Sequence, residues 1–174
     1  NYGWTSGGRT VGTPAGIVKY STVERIDYST DTATASVRGP LLSTRYWAAG
    51  TGNANYGWII GGKDPSKKSN VYRIDYSNDT ATVSERGPLS ATNYGNGGTS
   101  SRENALPTIG PKTVDKGADG YQGAISNFGY HAGGVDSAGA YPTIVDRIDY
   151  SNDTAAAAPK GNLNSSASDA GSVG

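Results

Sequence analysis

Val71-Tyr72-Arg73-Ile74-Asp75-Tyr76-Ser77-Asn78-Asp79-Thr80-Ala81-Thr82-Val83 is the stretch that decides the fold. Its first six residues alternate, which in an extended chain sets Val71, Arg73 and Asp75 on one side and Tyr72, Ile74 and Tyr76 on the other. Ser77-Asn78-Asp79 are turn formers, and Thr80 to Val83 carry the β-branched residues that suit a returning strand. The passage reads as a β-hairpin. Its signature, Arg-Ile-Asp-Tyr-Ser, stands at Arg25 to Ser29, Arg73 to Ser77 and Arg147 to Ser151, with the same parity each time.

Working outward, each hairpin sits in a longer repeated frame. The frame opens with Asn-Tyr-Gly-Trp (1–4, 55–58) or Asn-Phe-Gly-Tyr (127–130) and meets a Gly-Gly pair at 7 and 8, 61 and 62, or 133 and 134. It closes with Arg-Gly-Pro-Leu (38–41, 86–89) or the degenerate copy Lys160 to Leu163. The chain thus divides into repeats 1–54, 55–126 and 127–174 of one domain, a pattern that points to a propeller, a solenoid or a tandem array. One repeat is expected to give four short antiparallel strands: a (Arg45 to Gly50), b (Tyr56 to Ile60), c (Val71 to Tyr76) and d (Thr80 to Ser84). The fold class is all-β.

Four short strands, a Gly-Gly after strand b and a Tyr-rich hairpin resemble the Kelch repeat, a β-propeller blade. Gly61-Gly62 matches the pattern, Asp75-Tyr76-Ser77-Asn78 takes the place of the Tyr-Asp-Pro turn, and Val83 stands where a Trp is the rule. Arg45 occupies the Arg position, with Asn93 and Ser168 in the later copies. The phrases Arg-Ile-Asp-Tyr-Ser-Asn-Asp-Thr-Ala-Thr and Arg-Gly-Pro-Leu-Ser are also similar to tandem repeats in virion and tail-associated structural proteins of marine bacteriophages. That resemblance implies a virion, tail or fibre module that presents loops for host-surface attachment. The alternative is an extracellular bacterial adhesin or filament subunit; a propeller glycosidase is a third class. Three blades fall short of the four to eight that close a propeller, so the ring is expected to be completed by further chain or by other virion or filament subunits. The last residues, 168–173, are expected to form a terminal strand a that completes the first blade.

Composition removes several functions. Fifteen basic residues balance fifteen acidic ones, so no global field favours nucleic acid. No apolar run approaches the roughly 20 residues that span a bilayer. There is no cysteine and a single histidine, His131, which leaves no intrachain Cys/His metal centre and no Cys–Tyr radical-copper site. P-loop, dinucleotide and nucleophile-elbow motifs are missing as well, and the expectation is a non-enzymatic protein with no cofactor. The chain has no methionine, so it is expected to be a processed chain or a piece of a longer one.

Candidate contact residues lie where the copies disagree. In up-and-down blades the b–c and d–a connections share one face. The b–c loops (9–22, 63–70, 135–144) differ in length and content and offer Tyr20, the basic run Lys63, Lys67 and Lys68, and Tyr141. The a–b connection is short between the first two copies but becomes an inserted loop at 98–126, carrying Arg102, Lys112, Lys116 and Tyr121. Long loops of this kind are often functional. By contrast, the mid-strand charges Arg25 and Asp27, Arg73 and Asp75, and Arg147 and Asp149 repeat faithfully and are expected to form ion pairs between blades. Sequons at Asn78, Asn152 and Asn164 matter only on a secretory route. The Asp75 to Asp79 cluster lacks the spacing of a calcium loop and reads as a turn.

Overall fold

The computed structural model describes residues 2–11, 16–30, 32–100 and 128–168. They form three antiparallel sheets, each built on strands b and c of one repeat, with sheets 2 and 3 taking their first strand from the end of the repeat before, and with no α-helix among the described residues. Sheet 1 is β1 (Tyr2–Ser6), β2 (Val23–Asp27) and β3 (Ser36–Val37), in that order. Sheet 2 is β4 (Ala49–Gly52), β5 (Tyr56–Ile60), β6 (Val71–Asp75) and β7 (Ser84–Arg86); sheet 3 is β8 (Gly97–Ser100), β9 (Phe128–Ala132), β10 (Ile144–Asp149) and β11 (Ala158–Asn162), again in chain order.

The alternation read from the sequence sets the packing. In sheet 2 the register Trp58↔Arg73 and Ile60↔Val71 puts Trp58, Ile60 and Val71 on the face toward sheet 3, where they pack with Leu89, Ile148, Tyr150 and Ala157. The other face carries Ile59, Tyr72 and Ile74, which pack with Val23 and Leu41 of the first repeat. Sheet 2 is therefore covered on both sides and supplies Trp58, Ile60 and Val71, three of the most deeply buried side chains.

Two predicted strands shift. Strand d is Ser84–Arg86, displaced toward the C-terminus from Thr80 to Ser84, because the preceding residues bond to the neighbouring sheet. Gly39 N–H donates to the Asp79 carbonyl (2.8 Å) and Val83 N–H to the Pro40 carbonyl (3.2 Å). The same pair of bonds recurs one repeat on, from Gly87 to Asp153 (2.7 Å) and from Ala157 to Pro88 (2.8 Å). Strand a is Ala49–Gly52 and not Arg45 to Gly50, since Tyr46 turns aside to bridge Lys63 and Trp47 adopts φ 56°. Strand c ends at Asp75, and Tyr76 opens a 3₁₀ turn over Tyr76–Asn78.

The Gly-Gly pairs end strand b with two left-handed residues, Gly61 at φ 62° and Gly62 at φ 94°. A Cβ on Gly61 would lie 2.8 Å from the Asn93 carbonyl, so the pair satisfies both conformation and clearance. Here the Gly8, Gly62 and Gly134 amides donate to the carbonyls of Arg45, Asn93 and Ala167. That pattern makes Ala167, not Ser168, the third counterpart of Arg45. The inserted loop joins β8 to its hydrogen-bonded neighbour β9, and residues 98–100 of the predicted 98–126 stretch belong to β8. The predicted terminal strand at 168–173 lies outside the described residues, apart from Ser168.

Candidate functional site: an aromatic and cationic loop face

The repeated charges are placed first, because they occupy the joints between sheets. Arg25 and Arg73 do form ion pairs across the joints, but their partners are not Asp27 and Asp75. Asp79 Oδ2 receives Trp4 Nε1 (3.1 Å) and Arg25 Nη1 (3.0 Å), with Arg38 Nε at 3.4 Å. One repeat on, Asp153 Oδ2 receives Trp58 Nε1 (3.0 Å) and Arg73 Nη1 (2.9 Å), with Arg86 Nε at 3.4 Å. A buried carboxylate is thus held by two guanidiniums and an indole, the pairing that a buried charge requires. Above each carboxylate a tyrosine stacks on the indole of the preceding repeat: Tyr76 on Trp4 at 4.1 Å and Tyr150 on Trp58 at 4.0 Å.

Asp27, Asp75 and Asp149 instead cap their own turns. Each accepts from the backbone N–H and the hydroxyl of the serine two residues on, Ser29, Ser77 and Ser151. The serine hydroxyl bond, and behind it the backbone bond, hold the Asp75 carboxyl below the usual carboxylate range. Arg147 repeats the position of Arg25 and Arg73 and lies over the Phe128 ring at 4.0 Å, yet has no carboxylate partner among the described residues.

Between sheets 2 and 3 the packing changes. In the first joint Arg45 is fully buried, donating to the Gly61 carbonyl at 2.8 Å with its guanidinium 3.8 Å from the Tyr72 ring. The second joint has Asn93, Asp146 and His131 where the first has Arg45, Tyr72 and Ile59. These smaller and more polar side chains line a cavity of about 70 Å³, well under the roughly 300 Å³ at which ligand pockets begin. Burial pushes the His131 imidazole down to about 4, with Asp146 opposing the shift. Asp146 itself is bonded by the Ser90 hydroxyl and amide.

The b–c and d–a segments of all three repeats meet along one edge. Tyr46 bridges Lys63, Lys68 bridges Asn93, and Tyr94 bridges Val135. Lys19 pairs with Asp64, which also receives the Thr44 hydroxyl, and Lys67 reaches the Asp136 carbonyl. On this edge Trp47 is 46% exposed and stacks on Tyr94 at 5.3 Å with an interplanar angle of 17°. Arg9 lies 4.5 Å from the Trp47 ring and 4.7 Å from that of Tyr46; Lys63 and Lys67 lie 5.2 and 5.3 Å from Tyr94. The result is a ridge of adjoining rings lined with cations. Trp47 holds φ 56°, the single non-glycine residue with positive φ among those described. That conformation costs free energy in a bulky side chain, and such strain clusters at binding sites.

The predicted contact residues divide accordingly. Lys63 and Lys67 belong to the ridge. Lys68 joins the same edge through its backbone, while Tyr20 and Tyr141 stand exposed on the first and third b–c loops, at 38% and 55%. Arg102, Lys112, Lys116 and Tyr121 lie outside the described residues. Arg9, Tyr46, Trp47 and Tyr94 were not expected in the site; the available signal was that Trp47 has Gly95 as its counterpart and so is not a repeated structural residue.

No protein-family model matches the chain, and no curated protein sequence matches it.

Proposed function

We propose that this chain is a non-enzymatic binding and structural module of a virion, tail or fibre, built of three Kelch-like propeller blades, and that its loop face attaches to an acidic host-surface glycan. The observation that carries this reading is the ridge of Arg9, Tyr46, Trp47 and Tyr94 flanked by Lys63 and Lys67. The half-exposed Trp47 ring offers apolar area for the C–H face of a sugar ring, and the neighbouring cations favour carboxylate or sulfate substituents. Within the ridge Trp47 has glycine at its counterpart position, Gly95, so it is not demanded by the repeat. The joints between sheets account for the repeated Trp, Arg and Asp; they do not account for a strained, exposed tryptophan.

A glycan array probed with the chain and with Trp47→Ala tests the reading. Expected is binding to acidic glycans that weakens at least about tenfold in the variant, the scale of losing an aromatic anchor, with the thermal midpoint unchanged. Absence of binding by the intact chain, or binding indifferent to Trp47, overturns it.

A further inference from the structure

We propose that the outer face of sheet 3 is a docking site for the outer face of sheet 1 of a second copy of this chain, joined head to tail. The two internal joints define the fit. Each inserts a tyrosine and an aspartate from one repeat into a groove of Trp, Arg and Gly on the repeat before it. The groove needs glycine, because a Cβ on Gly39 would lie 1.8 Å from the Ala81 carbonyl and one on Gly87 1.7 Å from that of Ala155.

Among the described residues, both halves of the same joint stand unmatched on the outer faces of sheets 1 and 3. At the sheet 3 end, Tyr130 and Arg147 occupy the positions of Trp58 and Arg73. A Cβ at Gly161, the counterpart of Gly39 and Gly87, meets nothing within 4 Å. Tyr130, Ala132 and Val145 remain partly exposed where Trp58, Ile60 and Val71 are buried. At the sheet 1 end, Tyr28 is 60% exposed although its counterparts Tyr76 and Tyr150 stack on indoles. Ile26 is 37% exposed where Ile74 and Ile148 are 5%. The sequence places Asp31 where Asp79 and Asp153 stand in the later copies. Sheet 1 is also one strand short.

The outer face of sheet 1 is more polar than its equivalent on sheet 2, with Thr5 and Glu24 in place of Ile59 and Tyr72. That does not disqualify it. Sheet 3 presents His131 and Asp146 at the same two positions, and both are 3% exposed against sheet 2. At both internal joints the arginine at this position meets an aspartate of the next repeat, so the Arg147 groove favours the face that follows it in the repeat order over a copy of itself. Such a contact is heterologous, so successive copies form a ring or an open filament according to the rotation between them. This goes beyond the glycan reading and uses none of the ridge residues.

Sedimentation equilibrium across a concentration series tests it, with Arg147→Glu and Tyr28→Ala as variants that leave the two internal joints intact. Expected is reversible association of the unmodified chain, weakened at least about tenfold by either substitution. An equimolar mixture of the two variants retains one good groove and one good tyrosine, so it forms pairs and stops there. A chain that stays single at all concentrations, as polar-capped ends would, overturns the proposal. So does association unaffected by either variant, or a mixture that fails to pair.

Discussion

Asp153 and Asp75 are chemically identical and energetically far apart. Asp153 is buried and is the shared acceptor for Trp58, Arg73 and Arg86. Replacing it with alanine strands two guanidiniums in the joint, and breaking a buried pair in that way costs about 3–5 kcal/mol. Asp75 caps an exposed turn, and Asp75→Ala loses only a cap, about 1 kcal/mol. Urea unfolding of the two variants is expected to separate them by at least about 2 kcal/mol; equal losses would mean that the joint is not held by its carboxylate. His131 gives a second test at this scale. Its folded value of about 4 lies below the ordinary 6.5, so between those values the unfolded chain takes up a proton that the folded chain refuses. The contribution is fully present above about pH 6.5 and is lost as pH falls toward 4, up to about 3 kcal/mol. His131→Gln is expected to flatten that limb of the stability–pH curve, read by urea titration at several pH values. An unchanged slope would assign the acid sensitivity to other groups.

At the level of strands, what the sequence discloses is what its neighbours in sequence determine. Strands b and c were legible because their alternation is local, and β5 matches its predicted bounds, Tyr56–Ile60. Strands a and d were displaced because their boundaries depend on a different repeat. Thr80 to Val83 have the composition of a strand, but the backbone at Asp79 and Val83 bonds to Gly39 and Pro40, which no local pattern reveals. The ion pairs failed in the same way. Arg73 and Asp75 share a sheet face, yet each finds a better partner: Arg73 the carboxylate of Asp153, Asp75 the amide and hydroxyl of Ser77. The aromatic and cationic ridge was half visible. Lys63 and Lys67 stood out as a basic loop, whereas Trp47 was absorbed into a predicted strand that its positive φ excludes.

Over the whole molecule the stack is close to one-dimensional, since each sheet exchanges contacts with the next and cooperativity passes through two joints. Stability in such an array is a sum of unit and joint terms. Among the described residues, sheet 2 takes part in both joints and is covered on both faces, whereas sheets 1 and 3 take part in one joint each. Opening an end sheet breaks one joint; opening the middle sheet breaks two. Native-state hydrogen exchange in dilute solution is therefore expected to find amides of β5 and β6 the slowest, with those of β2 and β10 exchanging at least about tenfold faster through sub-global opening. Raising the concentration so that ends meet adds a third joint, which is expected to slow β2 and β10 and leave β5 and β6 little changed. If all three sheets exchange at one rate when dilute, the chain unfolds as a single unit and the joint-by-joint description fails. If dilute exchange is graded but insensitive to concentration, the stack is one-dimensional and its ends do not dock.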